Sequence, residues 1–408
     1  MHNNKKIIIW KTAHAKYSIA SVRYRCFLPA MTLISFGYKS IVLQKNETIH
    51  NFDNIQVLIF VKTFTKDDLE LAKKAHEHGV SIYIDLCDNI FVEHYRNKPM
   101  YCCFTQIAKL SKAIVTTGDE LAALIAKHLI EPLPVLIIPD QLETQNNNLQ
   151  LLKLIRQREF SQPAETIGSC KLNLLIIKDK LKSNFILFKL MKVAHLLRTR
   201  SMFASKYISK NKNIKLSYFF IKTKLSDRFI NSPAKKVIWF GNAGSSFSTF
   251  GLPSLAAISN HLIAVNKITP VKLLVVSNDY QKYCELIQPL PFLTDYKQWH
   301  PHQIFDDIES ADVCILPNSK DDFSICKSPN RTLLALSLRV PVVATRIPSI
   351  AKLEGCIICD EWENGLITYL TDKDRLQQDV NTADKIIDHY YSADAIAKQW
   401  NELLARNS

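Results

Sequence analysis

The chain has 408 residues, a length typical of two or three domains. With 47% apolar and 22% charged residues it can bury a large core, which excludes wholesale disorder, and its 9 glycines exclude collagen-like and Gly-rich repetitive sequence. The 52 Lys and Arg against 38 Asp and Glu leave a net charge of +14. An excess of this size points to an anionic partner: nucleic acid, an acidic membrane surface or a phosphate-bearing substrate.

In chain order, short continuous apolar runs come first: 6–10 (KIIIW), 39–43 (KSIVL), 57–62 (VLIFVK), 81–86 (SIYIDL), 113–117 (AIVTT) and 135–138 (VLII). Such runs suit strands buried on both faces of a parallel sheet. Helical periodicity lies between them, over 24–36, 66–78, 100–110 and 118–129. The alternation predicts a doubly wound α/β domain over 1–148. It resumes in a second such domain over 233–408. The strands there are 236–240 (KVIWF), 272–276 (KLLVV), 313–316 (VCIL), 340–344 (VPVVA) and 356–359 (CIIC), and the helices are 252–265, 279–287, 301–310, 330–338 and a long terminal one near 382–405. Two α/β units of similar size leave a cleft between them, and ligands bind at the carboxyl ends of strands in such sheets.

Between the domains, 149–232 fits neither. From Leu151 to Lys236 there are 20 Lys and Arg against 4 Asp and Glu, so the rest of the chain sums to −2. Segments 172–177 and 216–221 read as strands, and 181–200 as an amphipathic helix. Ile186, Leu190, Val193 and Leu197 share one helical face, with Lys182, Lys189 and Lys192 opposite. This is the pattern of a helix lying on acidic lipid, and equally of a surface subdomain with solvated lysines.

Most of the ten cysteines lie in or beside apolar runs, where a free thiol behaves as a small hydrophobe. The start MHNNKK is polar and basic and the apolar run after it is too short for a signal peptide, so the expected compartment is a reducing cytosol. No apolar run approaches the roughly 18 residues of a membrane span. Cys356 and Cys359 have redox or half-zinc spacing, but their apolar setting favours a buried strand, and a second pair for zinc is missing.

Four clusters are candidates for chemistry. The first is the turn Gly241-Asn242-Ala243-Gly244-Ser245, whose small residues let the backbone approach a phosphate, though many strand-to-helix turns carry Gly for steric reasons. The second is Lys327-Ser328-Pro329-Asn330-Arg331, with Ser328 as expected N-cap and Pro329 in the first turn. Cations beside a helix N-terminus make an anion site. The third holds His14, Arg23 and Arg25 after the first strand. The two arginines could grip an acidic acceptor or the donor phosphate, but they are two apart and do not share a helix face, so at most one is expected to point into the cleft. The fourth is Asp85 and Asp88 at a strand end: paired carboxylates for acid/base work, or an Asx turn closing the strand.

The stretches WFGNAGS (239–245), SADVCILP (310–317), KSPNRTLLALSLRVPVVATRIPS (327–349) and YYSADAIAKQW (390–400) resemble the donor-binding half of a GT-B glycosyltransferase, close to the retaining enzymes of family four. ASVRYRCFLPAMTLISFGY (20–38), IDLCD (84–88) and IIPDQLE (137–143) resemble the acceptor half. The resemblance covers roughly 320 residues and is distinctive as a set. It implies two Rossmann-like domains facing a cleft, with the terminal helix crossing back to the first. It also implies sugar transfer from a nucleotide-sugar with retention of anomeric configuration and without an obligatory metal or other cofactor, as in surface polysaccharide synthesis. Docking of the basic segment 151–232 on the inner face of the cell membrane, where a lipid-linked acceptor lies, fits that reading. By this resemblance Gly241, Asn242, Gly244, Ser245, Ser328 and Asn330 bind the donor. Lys327 or Arg331 neutralises the leaving nucleotide, with Asp88 also catalytic, and His14, Arg23, Arg25 and Asp85 meet a glycan or lipid-linked acceptor. Where the family often has two Glu separated by seven residues, the second on the ribose, this chain has Cys326 and Leu334. Asp321 and Asp322 are close but off register. Two other readings stand beside this one: a nucleic-acid-binding or -modifying protein using the basic segment, with binding that falls steeply in salt, and a non-catalytic nucleotide-sugar-binding subunit.

Overall fold

The computed structural model describes residues 7–129, 131–157, 159–161, 225–245 and 248–406. The strand and helix readings within 172–221 lie outside the described residues. The described residues form one compact unit containing two parallel six-stranded sheets.

The first sheet comprises β1 (Ile7–Thr12), β2 (Lys39–Leu43), β3 (Ile55–Val61), β4 (Ser81–Leu86), β5 (Ala113–Thr116) and β6 (Val135–Ile137), in the order β2-β1-β3-β4-β5-β6. The second comprises β7 (Lys235–Phe240), β8 (Val271–Ser277), β9 (Leu293–Gln298), β10 (Val313–Leu316), β11 (Val342–Ala344) and β12 (Ile358–Cys359), in the order β12-β11-β10-β7-β8-β9. All pairings are parallel, so every connection is a crossover. Strand order reverses at β1/β3 in the first lobe and at β7/β10 in the second. The crevice of a doubly wound sheet opens at those points.

Three expectations are corrected. The 24–36 helix is composite: a π-helical turn, Arg23–Phe27, enters the α-helix Leu28–Thr32, and a 3-10 turn, Leu33–Phe36, leaves it. The terminal helix is two, Lys373–Tyr391 and Ala393–Ala405, broken at Ser392, whose extended backbone (φ −62°, ψ 156°) ends one helix while its side chain caps the next at Ala395. Strand β9 has no counterpart in the expected set, because in LTDYKQ only Leu293 and Tyr296 are apolar and the strand pairs along a single edge.

The break at Ser392 lets the last helix reach the first lobe. Ile396, Trp400, Leu403 and Leu404 join the core around β1, and Trp400 packs edge-on to Trp10 with centroids 5.2 Å apart. The helix Gln145–Arg156 likewise places Leu151 in that core. Conversely, the loop after β10 sends Ile325 and Cys326 into the apolar cluster of the first lobe, and Leu142, after β6, packs into the second. The lobes are thus tied by exchanged side chains. Among the described residues no helix is long and apolar enough to cross a membrane.

Candidate functional site

The β7/β10 reversal brings two loops together. Phe240 ends β7, and the turn that follows is built by Asn242, whose Oδ1 accepts from the Gly244 amide at 2.9 Å. Gly244 has φ +107°, and a Cβ there would meet the Phe250 carbonyl at 2.4 Å. Gly251, at φ +88°, is as tightly enclosed by 242–244. These two positions therefore need glycine. Asn278, after β8, accepts from the Ala243 amide at 2.9 Å, and the Ser245 hydroxyl is buried without a partner.

From the β10 side comes the helix Asn330–Ser337. Pro329, not Ser328, occupies its N-cap position. The first helical bond runs from the Leu333 amide to the Pro329 carbonyl at 3.0 Å, and no side chain caps the first turn. Arg331, in that turn, reaches across the reversal: its Nη1 donates to the Phe240 carbonyl at 3.3 Å and lies 3.0 Å from where a Cβ on Gly241 would sit. Among the described residues it has no carboxylate partner. Burial pushes its guanidinium below its ordinary value, and only the Cys314 thiol opposes. A part-buried cation with no acid partner among the described residues thus stands beside an uncapped helix start and a Gly turn, an arrangement whose charge and free amides suit a small anion.

Lys327 and Asp88 meet across the cleft. Asp88 pairs with Lys327 of the second lobe and with Lys62 of the first. Burial opposes its ionisation, but Lys327 and then Lys62 outweigh this and hold its carboxyl well below the usual range. Lys62 is a site residue that sequence reasoning misses. It follows β3 as Asp88 follows β4, with φ +50°, and one signal is available: β3 lies at the reversal of the first sheet. Neighbouring bonds also cross the cleft. Asn330 donates to Asp140 at 2.6 Å, and Asn89 donates to the Asp322 carbonyl at 2.8 Å. Lys327 also lies over the Phe323 ring, 4.0 Å from its centroid.

The expected acceptor group separates. His14 is exposed at the mouth of the β1 loop. Arg23 and Arg25 are both buried, because the π-helical turn is covered on every side. Arg23 pairs with Glu143 at 2.6 Å and lies 5.5 Å from the Trp299 ring of the second lobe. Arg25 donates to both oxygens of Asp85 at 2.8–3.0 Å, and to Asp140 and the Ile138 carbonyl. Burial raises the Asp85 carboxyl against the pull of Arg25. With every guanidinium nitrogen bonded and Asp85 fully buried, this pair is a structural clasp facing the protein rather than a ligand. The Asx turn belongs to Asn89, whose Oδ1 accepts from the Phe91 amide at 2.8 Å.

Cys326 and Leu334 are both buried. The Cys326 thiol, pushed up to about 12 by burial, points to the Asp322 carbonyl, and Leu334 lies in the core of the second lobe. Asp321 is taken up by Ser248, Ser319 and Ser324, whose hydroxyls and amides more than offset its burial and lower its carboxyl. Cys356 closes a 3-10 turn and Cys359 lies in β12, both as free thiols.

Neither a family model nor a curated protein sequence matches the chain. Solved structures do. Sucrose-phosphate synthase from Thermosynechococcus elongatus aligns over 98% of this chain and 99% of its own, at 12% identity and a TM-score of 0.57. HepE from Anabaena, solved with UDP and glucose, aligns over 98% and 100% at 11% identity and a TM-score of 0.56. The N-terminal domain of trehalose-6-phosphate phosphatase from Candida albicans aligns over 99% and 97% at 8% identity and 0.54. At such identities the likeness is one of fold, and the chain has the GT-B architecture expected from its sequence: two Rossmann-like domains facing a cleft.

Proposed function

We propose that the protein is a glycosyltransferase that moves a sugar from a nucleotide-sugar to a glycan or lipid-linked acceptor, in the manner of retaining, metal-independent enzymes of surface polysaccharide synthesis. The observation that carries this reading is Arg331: a cation with no acid partner among the described residues, at the strand reversal where such sheets bind ligands. A diphosphate seated there takes the Arg331 guanidinium, the free amides of the Asn330 turn and the Gly241–Ser245 backbone. These groups stabilise the charge that grows on the leaving nucleotide as the glycosidic bond breaks. Lys327 is the second cation within reach, once it leaves Asp88. The likeness in fold to HepE, which was solved with UDP and glucose, is consistent with a uridine-based donor.

The test is turnover of a panel of UDP- and GDP-sugars, followed as nucleotide release. Arg331→Ala is expected to lose at least about 100-fold, the scale of one removed oxyanion-type contact. Turnover equal to wild type would take Arg331 out of the mechanism. A second reading is favoured by Cys326 and Leu334, which replace the usual Glu pair and leave no carboxylate at the ribose-binding position of the second. On that reading the protein binds a nucleotide-sugar without transferring it, and UDP binding with no turnover on any donor would establish it.

A further inference from the structure

A cavity of about 300 Å³ opens beside the Lys327–Asp88 contact, on the β5/β6 side of the cleft. Its size is at the lower end for small-ligand pockets, roughly 300–1,000 Å³. None of the expected acceptor residues lines it. One wall is the start of the helix Asp119–His128, presenting Asp119 and Glu120. The other is the 3-10 segment Pro348–Cys356 with the end of the helix Lys373–Tyr391, presenting Ser349, Lys352 and Tyr390.

Three features of these walls point the same way. Asp119, Glu120 and Lys352 make no hydrogen bond or ion pair among the described residues, although they face one cavity. The Ser349 hydroxyl is buried without a partner. Tyr390 is 43% exposed, and Lys352 stands 5.0 Å from its ring centroid. Unpaired carboxylates accept from sugar hydroxyls, an ammonium donates to their oxygens, a serine hydroxyl donates or accepts, and an aromatic face covers C–H groups. With Lys327 neutralised by Asp88, or by the donor diphosphate once it leaves Asp88, the lining has two acids against one base, Lys352, which repels a phosphate or uronate.

Resting on the glycosyltransferase reading, we propose that this cavity is the acceptor subsite, and that it takes an uncharged, hydroxyl-rich saccharide. The acceptor hydroxyl then enters from the β5/β6 side and meets the donor near Asp88. The clasped Arg25–Asp85 pair takes no part in its recognition.

The experiment applies the full-length protein to an array of neutral, uronate-bearing and phosphorylated oligosaccharides, with UDP binding measured by calorimetry on the same samples. The wild type is expected to retain neutral saccharides at least tenfold over acidic ones. Ala351→Trp, which fills the cavity, is expected to abolish retention. Glu120→Lys is expected to turn preference towards phosphorylated saccharides, a gain that misfolding cannot produce. Retention of acidic saccharides alone, of none, or unchanged retention by Ala351→Trp would overturn the proposal. UDP binding without saccharide retention removes the subsite and leaves the donor reading standing. Saccharide retention without UDP binding removes the donor reading, and with it the acceptor role.

Discussion

Arg25 and Asp85 show how a residue pair that looks functional in sequence can be structural. Both are essentially excluded from solvent, and Arg25 is shared with Asp140 on the strand-end loop that leads to the second lobe. Burial disfavours its charge, yet Asp85 and Asp140 together raise its guanidinium above the ordinary value. Removing one partner of such a pair leaves the other charge buried and costs about 3–5 kcal/mol. Arg25→Met should therefore lower stability by that amount in urea unfolding, with loss of folded protein preceding any change in substrate affinity. An Arg25→Met protein of wild-type stability with an altered acceptor KM would return Arg25 to the acceptor site. Sequence pattern alone places both residues correctly at strand and helix ends. It offers no means of seeing that they point at each other, because a contact 60 positions apart depends on which strands pair.

Elements are legible where burial is two-sided. Eleven of the twelve described strands come from apolar runs of the kind a parallel sheet requires, and the one missed, β9, is an edge strand whose apolar residues are Leu293 and Tyr296 alone. Helix interruptions are less visible. The π-helical turn at Arg23–Phe27 has no composition signal, and Ser392 reads as a tolerated polar residue until its capping bond to the Ala395 amide, at 3.3 Å, is seen. That break aims the last helix at the first lobe and puts Trp400, with no exposed surface, against Trp10 and 5.6 Å from Arg25. Truncating a buried Trp costs about 3–5 kcal/mol. Trp400→Ala is expected to lower stability on that scale and to unfold the first lobe ahead of the second, seen as separate transitions in hydrogen exchange. A single cooperative transition shared by both lobes would contradict it.

At the scale of the whole molecule, Asp88 bridges the cleft by holding one lysine from each lobe. If Lys327 is the second cation for a donor diphosphate, nucleotide must draw it away from Asp88, and that exchange costs part of the binding energy. Asp88→Asn removes the competitor and its negative charge together. A hydrogen bond to a charged group contributes about 1.5–3 kcal/mol, and about 1.4 kcal/mol is tenfold in affinity. UDP should therefore bind Asp88→Asn about tenfold more tightly than wild type. The pH dependence follows from the depressed Asp88 carboxyl. A lowered folded-state value means the pairing is fully present above the ordinary carboxylate range and fades only as pH falls through the depressed value. The difference between wild type and variant is thus the same at about pH 6 and pH 8, and shrinks only in strong acid, where Asp88 is protonated. Calorimetric titration of UDP at those two pH values decides the matter. Equal affinity of the two proteins would mean that Lys327 stays on Asp88 when nucleotide binds, leaving Arg331 to meet the diphosphate alone.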